Sequence, residues 1–203
     1  MTSSDEKHPV PGARELDLAA LKALAHPLRV QIFEILSQYG PQTASGLGSQ
    51  LGESSGSTSY HLRQLARHGL IRDIGGKGSG RERWWERMPG SVGFGGVEVQ
   101  DSPASLQVSR MVMREMQRHR EQQFERYFLH DLDLENEQWQ DASMIATANL
   151  RLTASQLAEL NAGVMALAKE IGERYRDQEG DDVRPVSMHV TSYPLPPVDG
   201  ESS

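Results

Sequence analysis

Residues 54–69 read SSGSTSYHLRQLARHG, and this stretch decides the fold. Serine is a favoured residue for capping the start of a helix, and Gly69 is suited to end one. Helical projection gives this stretch an inner face of small and apolar residues: Thr58, Leu62, Leu65 and Ala66. The opposite face is polar and basic, with His61 and Arg63 on its flanks and Ser57, Tyr60, Gln64 and Arg67 at its centre. The stretch therefore predicts an amphipathic helix whose outer face carries hydrogen-bonding and cationic side chains.

Three more helices are predicted before this one. Apolar residues recur at three- and four-residue steps from Leu16, and Pro27 separates a first helix from a second, which ends at Gly40. Thr43 can cap a third, short helix that Gly52 closes, although two internal glycines weaken it. The N-terminal region is thus predicted to be mainly helical.

A β-hairpin is predicted directly after residues 54–69. Residues 70–74 and 83–88 are rich in strand-forming types and flank the glycine-rich, basic stretch 75–80. Trp84 and Trp85 are adjacent, so on a strand they point to opposite faces, and we expect one in the core and one semi-exposed. Short helices followed by such a hairpin are typical of a winged helix-turn-helix.

Charge is distributed unevenly along the chain. The net charge of -7 argues by itself against a nucleic-acid partner. Residues 55–88, however, contain seven Lys or Arg and three Asp or Glu, a local charge of +4 that leaves -11 for the rest. A basic island in an acidic chain concentrates positive potential on one surface, whereas the alternative reading is a solvated charged face.

Composition excludes several classes of protein. The chain has no cysteine, which rules out disulfides and thiolate metal sites and fits a reducing compartment. No apolar run reaches the ~20 residues of a membrane span, and the N-terminus has no apolar signal segment. No nucleophile elbow, Walker loop, zinc-protease or dinucleotide motif occurs, so we expect no enzyme. These features predict a cytoplasmic protein with no membrane partner.

The C-terminal half is predicted to combine helices and strands. A long helix begins at Pro103 and runs to about residue 129, and residues 143–152 and 183–193 alternate as strands do. Between them, Thr153 and Gln156 have the spacing of a capping box at the start of another helix. The fold class is therefore α+β, mainly α: an N-terminal winged helix-turn-helix, then a long helix and a small α+β C-terminal region.

Five segments follow from these patterns. We expect a disordered tail over 1–15, a winged helix-turn-helix domain over 16–88 and a linker over 89–102. Residues 103–197 form a region for dimerisation, effector binding or both, and 198–203 form a second disordered tail.

Three short motifs carry a resemblance to a known family. Residues 23–29 (ALAHPLR), 57–65 (STSYHLRQL) and 69–71 (GLI) are similar to segments of the ArsR-type winged helix-turn-helix regulators, and the resemblance covers about 16–88. It implies a homodimer that binds double-stranded DNA at an inverted repeat, with the long helix from Pro103 as the candidate dimer seam. It also implies DNA contacts at Ser57, Ser59, His61 and Arg63.

The residue types on the outer face suit DNA independently of the resemblance. Serine, tyrosine and glutamine can hydrogen-bond to base edges, arginine reads guanine or neutralises phosphate, and small residues let a helix N-terminus approach the backbone. A basic wing is expected to contact a flanking phosphate or the minor groove. The predicted DNA-binding set is Ser55, Ser57, Ser59, Tyr60, His61, Arg63, Gln64, Arg67, Lys77, Arg81 and Arg83. Alternatively, Ser59 bonds to its own helix and His61 is a packed side chain.

Other functions remain open at this stage. Many relatives of ArsR type sense metals, and His119, His130 and Asp133 have spacing similar to a histidine/carboxylate site, which would need ligands from two protomers. We assign no metal and no cofactor, and the alternative functions are a metal-gated repressor and a protein-interaction module. An unidentified small-molecule effector of the C-terminal region is a further expected partner.

Overall fold

The computed structural model describes residues 13–75, 82–93 and 103–196. The N-terminal elements are β1 (Ala13–Glu15), α1 (Leu18–Leu24), α2 (Pro27–Tyr39), β2 (Gln42–Thr43), α3 (Ala44–Leu51) and α4 (Ser55–Arg67). Three strands follow, β3 (Ile71–Ile74), β4 (Trp84–Arg87) and β5 (Ser91–Gly93). The remaining elements are α5 (Pro103–Arg126), a π-helical turn (Tyr127–Asp131), a 3₁₀ turn (Leu132–Leu134), α6 (Glu137–Ala142) and α7 (Ala154–Arg174). The α+β, mainly α class is confirmed.

The main sheet is small and antiparallel, in the order β2-β4-β3. Strands β3 and β4 form the predicted hairpin, with Ile71 opposite Arg87 and Ile74 opposite Trp84. Trp85 is buried and Trp84 is half-buried, which confirms the expected division between the two tryptophans.

A second, two-stranded sheet was not predicted. Strands β1 and β5 pair in parallel, with Ala13 opposite Ser91. The disordered tail expected over 1–15 is therefore wrong for β1, and the linker expected over 89–102 contains β5. Regular alternation was absent from both segments because three residues are too short to display it. Residues 1–12, 94–102 and 197–203, which hold the rest of these two segments and the second tail, lie outside the described residues.

One apolar core joins α1, α2, α3, α4 and β4 to the first half of α5. It includes Leu21, Ile32, Leu47 and Leu62, all without exposed surface, and Val112 and Met116 of α5 lie in the same cluster. The chain accordingly divides into two compact units, Met1–Thr147 and Ala148–Ser203, so that α5 belongs with the N-terminal elements.

The predicted helix boundaries follow from capping. Thr43 accepts a hydrogen bond from the backbone N–H of Gly46, and Thr153 forms the reciprocal capping box with Gln156. Helix α5 ends at Arg126, earlier than the expected 129, and α6, capped by Asn136, was not predicted. No described helix has the length and apolarity to span a bilayer.

The two strands predicted within the C-terminal half do not form. Residues 143–152 and 183–193 are in no ladder, although both alternate in sequence. Alternation identifies a strand that has one buried face, and between residues 148 and 196 the structure buries no residue. The physical reason is that no described residue of this unit covers either segment.

Candidate nucleic-acid interface

The start of α4 is held by two serine and threonine hydrogen bonds. Ser54 Oγ accepts from the N–H of Ser57 at 3.1 Å, and Thr58 Oγ1 donates to the carbonyl of Ser54 at 3.0 Å. Thr58 is fully buried against α3. The first turn of α4 is therefore fixed, and its backbone N–H groups point out of the helix end as a favourable site for an anion.

A close contact between α3 and α4 depends on Gly48. A Cβ at this position would lie 2.8 Å from the Glu53 carbonyl oxygen and 3.3 Å from Thr58 Oγ1. The glycine that weakens α3 as a helix thus permits the tight turn between α3 and α4. This turn begins with Gly52, which has a φ of +69°.

The outer face of α4 has the predicted polar and basic character. Arg63 and Arg67 are exposed and form no ion pair with any residue in the described parts of the chain. Tyr60 is 53% exposed, and Gln64 is half-buried. Two unneutralised guanidinium groups lie beside hydrogen-bonding side chains, an arrangement that suits phosphates and base edges.

A concave groove separates α4 from the base of the β3–β4 hairpin. Four of the predicted residues line it, Ser55, Ser59, Arg63 and Arg83, and Trp85 and Glu82 lie opposite α4. Ser45 Oγ donates to Glu82 Oε1 at 2.5 Å, so this carboxylate is held in the groove. Sequence reasoning did not single out Glu82, because nothing in its local pattern shows that the chain folds back onto α3.

His61 lies on the inner side of α4, away from the outer face. It is 9% exposed, its ring centroid lies 4.6 Å from that of His26, and the ring of Tyr60 is at 5.2 Å. Burial lowers the pKa of both His26 and His61, and the charge of Arg29 lowers each further. The geometry gives His61 a positioning role for α4, and the DNA contact expected of His61 stays a prediction.

The motif ALAHPLR lies beside His61, and its residues shape the junction between α1 and α2. His26 caps α2 by accepting from the N–H of Leu28 at 3.2 Å, and Pro27 occupies the first helical position. Arg29 Nε donates to the carbonyl of Ala23 at the end of α1. The motif therefore sets the angle between α1 and α2 and also supplies the ring that packs on His61.

Comparison with known proteins identifies a family model for the segment that contains these helices. Residues 24–74 match the family model described as a helix-turn-helix domain. This segment is a helix-turn-helix domain. RV1404 from Mycobacterium tuberculosis is 17% identical over 64% of this chain and 86% of its own, with a TM-score of 0.31. Transcriptional regulator Tm0710 from Thermotoga maritima is 12% identical over 80% of this chain and 89% of its own, also with a TM-score of 0.31. No curated protein matches the chain.

The wing of the helix-turn-helix domain is described only at its base. Arg72 forms a 2.6 Å ion pair with Glu86 across the hairpin, and Arg83 lies 3.7 Å from Asp73. Both pairs are exposed and weak, so Arg83 stays available to a phosphate. The two remaining predicted wing residues, Lys77 and Arg81, lie outside the described residues.

The structure does not gather a metal site. No group of three His, Asp or Glu side chains suited to an ion occurs among the described residues. His119 lies on α5, His130 in the π-helical turn and Asp133 in the 3₁₀ turn. Sharing of these ligands between two protomers stays a prediction.

One buried carboxyl lies close to His119. Glu34 on α2 is 6% exposed, and burial raises its pKa, an effect that the charges of Arg120, His119 and Arg87 oppose. Arg87 belongs to β4 and also lies over the ring of Phe33, at 5.4 Å from the centroid. The side chains around Glu34 thus link the helix-turn-helix domain to α5 within one unit.

Proposed function

We propose that this protein is a sequence-specific transcriptional regulator of the ArsR type that binds double-stranded DNA as a homodimer on an inverted-repeat operator. The observation that carries this proposal is the groove between α4 and the wing, with Arg63 and Arg83 on its two sides. In this proposal α4 enters the major groove with Ser57, Tyr60 and Gln64 toward the bases.

The polar and basic surface of α4 favours DNA over a protein partner. The centre of a protein interface is mostly apolar, whereas this face carries serine and glutamine side chains and two arginines that form no ion pair with any described residue. The acidic remainder of the chain limits association at other surfaces, since it repels phosphate.

Two-fold symmetry supports the dimeric part of the proposal. One helix-turn-helix domain presents one recognition helix, and a palindromic operator needs two of them about one helical turn apart. Helix α5 supplies a seam, because Met113 and Phe124 share an exposed face outside the core-facing side formed by Val112 and Met116.

A genomic-fragment binding selection over a salt series tests the proposal. Purified full-length protein is expected to enrich an inverted repeat well above random DNA, and Arg63→Ala is expected to reduce that enrichment. Arg110→Ala removes the same charge from an exposed position on α5 and serves as the matched control. Absence of enrichment at low salt contradicts the DNA-binding proposal and favours the protein-interaction module.

A further inference from the structure

The unit Ala148–Ser203 has an unusual surface. Thirteen large apolar side chains between residues 148 and 196 are 39–76% exposed, and no described residue of the unit is buried. A fully exposed side chain of this kind presents roughly 100 Å² of apolar surface, so thirteen side chains that are about half exposed leave on the order of 700 Å² open. Each partner in a standard interface contributes ~800 Å². An exposed apolar area of this size is typical of an interaction site.

Three apolar side chains of the last segment fall on one face. In residues 186–193, Val186, Met188 and Val190 alternate with Ser187 and His189, as on a strand with one covered side. Pro185 and Pro194 bound this stretch, and each lacks the N–H that would extend a ladder. The stretch thus alternates as a strand does and is bounded by prolines, but it pairs with no strand among the described residues.

Helix α7 presents a matching stripe. Leu160, Leu167 and Ile171 lie within a narrow arc of the helix and are 40–60% exposed. Lys169 approaches Glu173 at 3.9 Å on the opposite side of the helix, and Glu170 pairs with Arg174 at 2.6 Å along one edge of the stripe, so these charges neutralise one another. Ser192 Oγ donates to Asn161 Oδ1 at 2.7 Å and joins the last segment to α7.

We infer that the C-terminal unit associates with the same unit of a second copy of this chain, through the α7 stripe and strand pairing of residues 186–193. Those eight residues contain no Lys, Arg, Asp or Glu, so two identical segments face each other without repulsion. Monomeric proteins usually place such charges on segments that could otherwise pair with another chain, and residues 186–193 carry none. A two-fold interface of this kind is self-complementary.

The inference rests on the proposed homodimer but gives it a second interface, separate from α5. Its test uses free full-length protein without DNA, so it is independent of operator binding. A dimer that binds no DNA overturns the proposed function and leaves this inference standing.

Sedimentation velocity from about 1 to 100 µM measures the association directly. Wild-type protein is expected at twice the 22.5 kDa of one chain. Leu167→Glu combined with Met188→Glu is expected to raise the dissociation constant at least tenfold. The matched control, Ala166→Glu combined with Ser187→Glu, places the same charges on neighbouring faces and is expected to retain the dimer. Equal thermal unfolding of the helix-turn-helix domain in both proteins verifies that the change is confined to the interface.

Hydrogen exchange distinguishes pairing between chains from pairing within one chain. The amides of residues 186–193 are expected to gain protection as protein concentration rises. Protection that is unchanged on dilution overturns the inference, and so does a wild-type monomer. A dimer that Met113→Glu on α5 dissociates but Leu167→Glu with Met188→Glu leaves intact also overturns it.

Discussion

The ring of His61 packs on the ring of His26 with 4.6 Å between centroids and an angle of 42°. This contact joins the first turn of α2 to the middle of α4, so the segment that caps α2 also supports the helix proposed to read DNA. Both rings are neutral when the contact is most favourable, because protonation would place two cations together beside Arg29.

Acid is expected to destabilise the N-terminal unit through these two histidines. Their folded pKa values lie below the ordinary 6.5, mainly through desolvation, then through neighbouring positive charge, with Glu53 opposing in part. The unfolded chain therefore binds more protons in this range, and the stabilisation is full above pH 6.5 and lost as pH falls below it. Urea unfolding at pH 7.5, 6.5 and 5.5 should show a smaller loss for His61→Gln than for wild type. If both proteins lose the same stability as pH falls, the histidine pair is not the cause of the acid sensitivity.

Glu34 is expected to change stability with pH in the direction opposite to the two histidines. Burial raises its folded pKa above the usual 4.5, so the folded protein holds a proton that the unfolded chain releases. Its ionisation costs stability at neutral pH, and that cost disappears as pH falls toward 4.5. Glu34→Gln should thus raise the free energy of unfolding at pH 7, with the gain shrinking under acid. Glu121→Gln, at an exposed position of α5, is the control that should show neither effect.

The close approach at Gly48 predicts a sensitive position. Gly48→Ala should lower the free energy of unfolding by about 1–3 kcal/mol, since the added methyl would meet backbone at 2.8 Å. Gly56→Ala in α4 is the matched control, because its Cβ would meet only Ser54 Oγ at 3.9 Å. Urea denaturation of both proteins measures the difference, and equal stability would show that the α3–α4 turn relaxes freely.

Substitutions of base-reading residues and of phosphate-contacting residues should have different effects on DNA affinity. Arg63→Ala with Gln64→Ala is expected to cost about 1–3 kcal/mol per base contact on the selected operator and little on random DNA. Lys77→Ala with Arg81→Ala is expected to weaken binding to every duplex and to reduce the salt slope by about 1–2. Fluorescence anisotropy across a salt series gives both values, and uniform losses from both pairs would contradict the division.

Glu82 should limit the affinity for DNA. Its carboxylate lies in the groove beside Ser45, where it repels an incoming phosphate. Glu82→Gln keeps the hydrogen-bond acceptor and is expected to strengthen binding by about 1 kcal/mol at low salt, an effect that salt screens. Glu121→Gln supplies the same charge change outside the groove. An unchanged affinity for Glu82→Gln would place the phosphate path elsewhere.

Sequence alone determined the elements whose signal is local. Thr43, Thr153 and the serines before α4 set helix starts through hydrogen bonds to their own first turns, and the periodicity of Leu62 and Leu65 set the inner face. The outer face followed from the same projection, which predicted that Arg63, Arg67 and Tyr60 are exposed.

Tertiary structure decided the features that depend on contacts between residues far apart in the sequence. His61 shares its helix with the exposed residues of the outer face, and only the packing of α2 on α4 turned its ring toward His26. Glu82 became part of the groove through Ser45, 37 residues earlier. The alternating residues 186–193 were expected as a strand, yet a strand needs a second edge, and the described residues of this unit supply none. Short-range pattern specifies which face is apolar, whereas packing decides what covers it.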